Sequence, residues 1–227
     1  MIAFYNVSKI YGKHSVALED VDLKIQQGEF VSLVGRSGAG KSTLIKLLIG
    51  EEKPTRGRVV VGSHEIQRLK PRELPQYRRQ IGVVFQDFRL LPLKTVYENV
   101  AFALEVEGRP QSEIDDLVPQ VLDMVGLSEK HHNFPHELSG GEKQRTAIAR
   151  AMIHQPAVLI ADEPTGNLDE VNTEEVIRLI VKINELGTTV ILATHNRNVV
   201  NGLHRRVVML HEGRVAKDEE KGRYMLV

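Results

Sequence analysis

Two stretches of this chain have the residue types and spacing for nucleotide chemistry. Gly35-Arg-Ser-Gly-Ala-Gly-Lys41-Ser42 satisfies G-x-x-x-x-G-K-[ST]. Glycines at 35, 38 and 40 permit a tight loop whose backbone amides turn towards phosphate oxygens, and a helix starting behind it adds partial positive charge. Lys41 would bridge the β- and γ-phosphates and Ser42 would ligate Mg²⁺, within a cradle of Gly35, Ser37, Gly38, Ala39, Gly40, Lys41, Ser42 and Thr43. The second stretch, AVLIADE, is an apolar run ending in the adjacent carboxylates Asp162 and Glu163. Alone it reads as a strand leaving into a solvated turn. Beside a phosphate loop, Asp162 would hold the metal's hydration shell, and Glu163 would orient and polarise the water that attacks the γ-phosphate in line.

Other polar residues close apolar runs in the same manner. Gln86 ends IGVVFQ and His195 ends TTVILATH. Ligands of open parallel sheets sit beyond the carboxyl ends of strands, so these exits are expected to face one crevice, with Gln86 at the metal and His195 near the γ-phosphate. Leu138-Ser139-Gly140-Gly141-Glu142 opens a helix with a capping box, Ser139 to Glu142. Capping does not require glycine at the first two helical positions, where each is less favourable than alanine by up to about 1 kcal/mol. Bare backbone at a helix N-terminus suits an anion pressed against it.

The elements that must position these groups can be read from periodicity. GEFVSLVG, RQIGVVFQ, PAVLIAD and GTTVILATH are apolar throughout, as strands covered on both faces are. Helical patterns over Lys41 to Ile49, Gly140 to His154 and Asn172 to Leu186 separate them, the last stopped by Gly187. Alternation of this kind implies a parallel α/β sheet. Ala3 to Ile25 and Arg58 to Ile66 read as a small antiparallel β part. Thr95 to Val125 reads as two helices broken at Gly108 and Pro110, a helical insertion. A hairpin is expected at Glu212-Gly213.

Composition excludes other classes. The 227 residues carry 30 Lys and Arg against 30 Asp and Glu, so no net field draws the chain to nucleic acid or lipid. With no cysteine, disulfides, thiolate nucleophiles and cysteine-bound metals are absent, as suits a cytoplasmic protein. No signal peptide or membrane span is expected, so at a membrane another chain would carry the spans. The basic run Arg68, Lys70, Arg72, Arg78, Arg79 is a solvated face, or secondarily a contact for anionic lipid or a partner's acidic loop.

Phosphate loop, glutamine-ending strand, LSGGE helix start, Asp-Glu strand end and strand-end histidine follow in the order of the ATP-binding-cassette ATPases, which the whole chain resembles. The resemblance implies a single P-loop NTPase domain with a mostly parallel sheet, a small antiparallel β subdomain and a helical insertion. Residues 1–86 and 157–227 would form the nucleotide-binding core and 87–156 the helical part. It further implies an ATP-dependent head-to-tail homodimer in which Ser139, Gly140 and Gly141 of one copy cap the γ-phosphate held by Lys41 of the other. Tyr11 would stack on adenine, and Asn167-Leu168-Asp169 would cross the dimer interface. Glu142 stands where the family usually has Gln, which preserves the cap and changes any polar contact to nucleotide.

Within the family, VFQDFRLLPLKTVYENVAFALEV and ADEPTGNLD are similar to a bacterial cell-division branch. That likeness implies a peripheral ATPase on the cytoplasmic side of the membrane at the division site. It would be paired with a polytopic membrane protein and linked indirectly to peptidoglycan hydrolases. Lipoprotein-releasing and macrolide exporters share ADEPTGNLD and remain alternatives. Soluble cassettes acting on DNA or ribosomes usually need coiled-coil insertions or two cassettes, and no nucleic acid is expected. A P-loop kinase would leave LSGGE and His195 idle, and Glu163 argues against a regulator without turnover. Phe88, Leu90, Leu91, Pro92 and Val96 form an apolar cluster after Gln86 that a partner helix could cover.

Overall fold

The computed structural model describes residues 1–12 and 15–224; Lys13 and His14, inside the β-rich stretch expected at the N-terminus, lie outside them. In chain order the elements are β1 (Ile2–Tyr11), β2 (Ser15–Ile25), β3 (Phe30–Val34), α1 (Lys41–Leu48), β4 (Arg56–Val61), β5 (His64–Glu65), α2 (Leu74–Arg78) and β6 (Ile81–Phe85). There follow α3 (Val96–Glu107), α4 (Gln111–Met124), α5 (Gly140–Met152), β7 (Val158–Asp162), α6 (Glu170–Glu185), β8 (Thr189–Ala193), α7 (Arg197–Leu203), β9 (Arg206–His211) and β10 (Arg214–Glu219). Two compact units result, Met1–Arg78 with Gly187–Val227, and Arg79–Leu186.

In the first unit, β1 pairs antiparallel with β2 and β4, and β4 with β5. The β1–β2 register slips at bulges, and Asn6 and Asp20 take positive φ there. A second strand set places β3 between β8 and β9, parallel to both, with β10 closing a hairpin on β9. That hairpin turns through Glu212 and Gly213 at φ 47° and 78°, the twist-compatible turn that Glu-Gly foretold. All five residues of β3 and of β8 are buried, which is why these strands read as unbroken apolar runs. Val34, Val200, Val207, Met209 and Tyr224 pack together beneath them.

The second unit pairs β6 with β7 in parallel and sets four helices around them. α3 starts at a Thr95–Glu98 capping box and stops at Gly108 (φ 79°), and α4 starts behind Pro110, so the break falls where Gly108 and Pro110 put it. Backbone bonds from Val96 to Asn133 and from Tyr97 to His131 tie the start of α3 to the segment before α5.

Candidate active site

The first unit builds the phosphate loop. β3 delivers the chain to Gly35 and α1 begins at Lys41, so the glycine-rich loop lies between a strand and a helix. Gly40 precedes the helix at φ 108°, and a Cβ there would come within 2.7 Å of the Ala17 carbonyl, so only glycine fits. No side chain caps α1, which leaves its first amides available to an anion. Lys41 is only 9% exposed, and its Nζ donates to the carbonyls of Gly35 at 2.7 Å and Arg36 at 3.3 Å. The loop thus folds its own cation inward. Ser37, Gly38 and Ser42 are exposed, Ala39 is buried and Thr43 half-buried.

His195 belongs to the same unit. Leu33 of β3 pairs in parallel with Ala193 of β8, and the Thr194 amide donates to the Leu33 carbonyl at 3.2 Å, so His195 leaves the same strand ends as the phosphate loop. It is exposed, and Asn196 after it caps α7. Tyr11 closes β1 half-buried, with the Lys9 ammonium 4.9 Å from its ring centroid. Lys9 is held there by Glu52 at 2.6 Å.

The second unit gathers Gln86, Asp162 and Glu163. Phe85 and Asp162 are register partners at the ends of β6 and β7, so Gln86 and Glu163 leave the sheet side by side. Glu163 sits in the left-handed region at φ 49°, where a non-glycine residue is strained. The Gly166 amide then donates to the Glu163 carbonyl at 3.1 Å, which closes the turn. Gln86 lies over Gly166, where a Cβ would come 2.7 Å from its Nε2. Its Nε2 donates to Asn167 Oδ1 and Asn167 Nδ2 returns a bond to the Gln86 carbonyl, both at 3.2 Å.

The signature helix α5 has its expected capping box. Ser139 Oγ accepts from the Glu142 amide at 3.2 Å, and Glu142 Oε2 accepts from the Ser139 amide at 2.8 Å. That bond from the Ser139 amide, with further help from Lys130, holds the Glu142 carboxyl below its usual range. Glu142 is therefore engaged within its own chain. The glycines also have a packing reason that sequence reasoning did not supply. A Cβ on Gly141 would overlap the Asn172 amide in the first turn of α6, and one on Gly140 would come 3.1 Å from Leu168 Cδ2. Asp169 in turn caps α6, accepting from the Asn172 amide at 2.8 Å and Asn172 Nδ2 at 2.7 Å, and these bonds lower its pKa.

One surface expectation changes, while the basic run stays largely exposed. Val96 is fully buried in the first turn of α3 and cannot dock a partner, whereas Leu93, Phe102 and Val106 are exposed (89%, 39% and 67%). The basic run is partly occupied: Arg68 meets Glu65, Arg79 meets Glu107, and Arg78 donates to the carbonyls of Ile49 and Gly50. Arg150 and Asn99, neither singled out by motif, hold the segment after Gln86: Arg150 bonds the carbonyls of Phe88 and Arg89, and Asn99 bonds Leu91, Lys94 and Thr95.

Residues 18–166 match the family model described as ABC transporter. The chain belongs to the ABC transporter family. As an ABC ATPase it binds and hydrolyses ATP. It is 51% identical over 225 residues to the cell division ATP-binding protein FtsE of Mycobacterium tuberculosis, covering 99% of this chain and 98% of that protein. Against FtsE of Bacillus subtilis the identity is 50% over 224 residues, with 99% and 98% covered. Among solved structures it is similar to the ATP-binding cassette MJ0796, seen as a dimer in a post-hydrolysis state bound to ADP and Pi. The TM-score is 0.87 at 37% identity, over 99% of this chain and 100% of that one.

Proposed function

We propose that this ABC ATPase is the ATP-hydrolysing subunit of an FtsE–FtsX-type membrane complex in bacterial cell division. ATP would close a homodimer, and closure would act through the membrane partner on peptidoglycan hydrolases. The observation that carries this reading is identity of about half the residues to FtsE proteins across nearly the whole chain. Among the described residues no helix is long and apolar enough to cross a membrane, so the spans would belong to the partner. Exposed Leu93, Phe102 and Val106 offer it an apolar contact, and the protein would sit peripherally on the cytoplasmic face at the division site.

The residues support a division of labour. The phosphates take over Lys41 Nζ from the carbonyls of Gly35 and Arg36, while amides of the loop 35–43 cradle their oxygens. Tyr11 would stack on adenine. Ser42 and Asp162 are hard oxygen donors, and the Gln86 amide oxygen is a third, a set that fits a small cation retaining several waters. When bound, Mg²⁺ neutralises charge developing on the phosphates. Glu163, fixed by its strained turn, accepts a hydrogen bond from the attacking water and aligns it, and His195 contacts the γ-phosphate. Ser139, Gly140 and Gly141 of the second copy would seal that phosphate.

Glu163→Gln tests the assignment. Turnover should fall by at least about 100-fold, with ATP retained in a dimer resolved by size-exclusion chromatography. Adding Ser139→Arg should abolish that dimer while ATP binding persists. Equal ATPase rates for wild type and Glu163→Gln would reject the role of Glu163. A co-purified exporter subunit in place of an FtsX-type protein would reject the division role.

A further inference from the structure

We propose that Arg150 is a positioning residue for the reaction, fixing the direction in which the chain leaves Gln86. The inference rests on the reading that Gln86 serves the nucleotide's metal and γ-phosphate.

Three observations within one unit carry it. First, Phe88 and Arg89 are consecutive non-glycine residues in the left-handed region, at φ 58° and 49°. Two such residues in a row persist only where the surroundings over-determine them. Second, Arg150, in the last turn of α5, supplies that determination. Its Nη1 donates to the Arg89 carbonyl at 2.7 Å and its Nη2 to the Phe88 carbonyl at 3.1 Å. Arg150 is half-buried and no carboxylate pairs with it among the described residues; burial lowers its pKa, and the two strained carbonyls accept its hydrogen bonds. Third, Gln86 is restrained on its other sides. Phe85 is fixed by the β7 ladder, and the Gln86 side chain lies on Gly166 and bonds Asn167.

The turn of Phe88 and Arg89 is therefore the boundary that Arg150 closes, between the Asn167 bonds at Gln86 and the Asn99 bonds that begin at Leu91. Without the guanidinium the turn keeps only its local contacts, the amide bonds from Phe88 to Phe85 and from Arg89 to Asp87 and the Arg89 side chain on the Phe85 ring and Asp87, and the left-handed pair loses its tie to α5. Lysine replaces Arg150 poorly, because its ammonium lacks the rigid planar fork in which two separate nitrogens each meet one carbonyl. A residue placed this way touches no nucleotide. Its effect would reach turnover only through Gln86.

The experiment compares Arg150→Lys, Gln86→Ala and the double variant in the full chain, reading steady-state ATPase kinetics, thermal melting and hydrogen exchange of peptides spanning residues 86–91. Arg150→Lys should lower kcat about tenfold with KM for ATP within about twofold of wild type, and should speed exchange over 86–91. On the Gln86→Ala background it should lower kcat by less than about twofold, since residues acting as one unit are non-additive. Arg89→Val supplies a second route without emptying a buried site. The exposed Arg89 side chain lies on the Phe85 ring and meets Asp87, so Arg89→Ala, which loses the same contacts without β-branching, is the control; the valine resists positive φ more and should exceed it in both kcat loss and exchange. Wild-type kcat and exchange in Arg150→Lys, or a full tenfold loss on top of Gln86→Ala, would overturn the proposal while the role of Gln86 stands. A wild-type rate for Gln86→Ala would instead remove the reading beneath it.

Discussion

Asn99 should be the most destabilising polar position of the helical part to truncate. It is completely buried in the first turn of α3. Its Oδ1 accepts from the Leu91 amide at 2.8 Å, and its Nδ2 faces the carbonyls of Leu91, Lys94 and Thr95 at 3.1, 2.9 and 2.9 Å. Two amide hydrogens serve three carbonyls, so one is shared and the residue makes the equivalent of three bonds. At a net contribution of roughly 0.5–1.5 kcal/mol each, Asn99→Ala should cost about 3 kcal/mol. For a chain of this size that is a melting temperature about 6–12 °C lower, measured without nucleotide because bound ATP would add stability of its own. Asn99→Asp is the sharper variant. It keeps the acceptor for Leu91 but turns a second oxygen towards three carbonyls, so near about pH 8 it should be less stable than the alanine variant. Its carboxyl would titrate above the unfolded value, so its stability is full at low pH and lost as pH rises. The gap to alanine should therefore narrow on acidification towards about pH 5. A melting temperature for Asn99→Ala within about 2 °C of wild type would refute this reasoning, as would a more stable aspartate variant near about pH 8.

Two further outcomes follow from single side chains. Tyr77 is 1% exposed and its hydroxyl donates to the Leu48 carbonyl at the end of α1, while burial pushes its pKa upward and keeps it a donor. Tyr77→Phe should cost about 1–2 kcal/mol in urea denaturation, and an unchanged midpoint would contradict the bond. His154 has its pKa lowered below 6.5 by burial, against the pull of the Glu107 carboxylate 3.4 Å away and with Arg79 and Arg109 adding repulsion. The unfolded chain then binds the proton more readily, so this contribution is present above about pH 6.5 and is lost as pH falls. His154→Gln should flatten the decline of stability between about pH 7 and pH 5, and parallel curves for the two proteins would rule the effect out.

The motifs were legible because each sits at an element boundary that leaves a sequence mark. Lys41 follows glycines that end β3, Asp162 and Glu163 end an apolar run, and Ser139 and Glu142 spell a capping box. Helix α2 left no comparable mark: five residues including Pro75 carry too little periodicity, and its place is fixed by Tyr77 reaching Leu48 and Arg78 reaching Ile49 and Gly50. Helix α7 is short as well, with polar Asn196 and Arg197 at its start where a loop is equally plausible by composition. Arg150 and Asn99 were invisible for a different reason. Their partners are backbone carbonyls, which every residue has, so no spacing of side-chain types records the pairing. Val96 misled because an apolar residue beside exposed Leu93 has the same letter whichever way it faces. Gly141 has two readings at once, an open amide for an anion and a close approach to Asn172, and only the packing is apparent from one chain.

The bond between Gln86 and Asn167 also decides what position 86 can tolerate. With nitrogen turned to Asn167, the amide oxygen faces a different direction, so one planar group has an anchored half and a presenting half. Glutamate, although a stronger ligand for a cation, has no anchoring half and would set two oxygens face to face at Asn167. Relief would require Asn167 to turn over and abandon the Gln86 carbonyl. Selectivity for a neutral side chain here is thus imposed from behind, by the neighbour that fixes its orientation, before any nucleotide arrives.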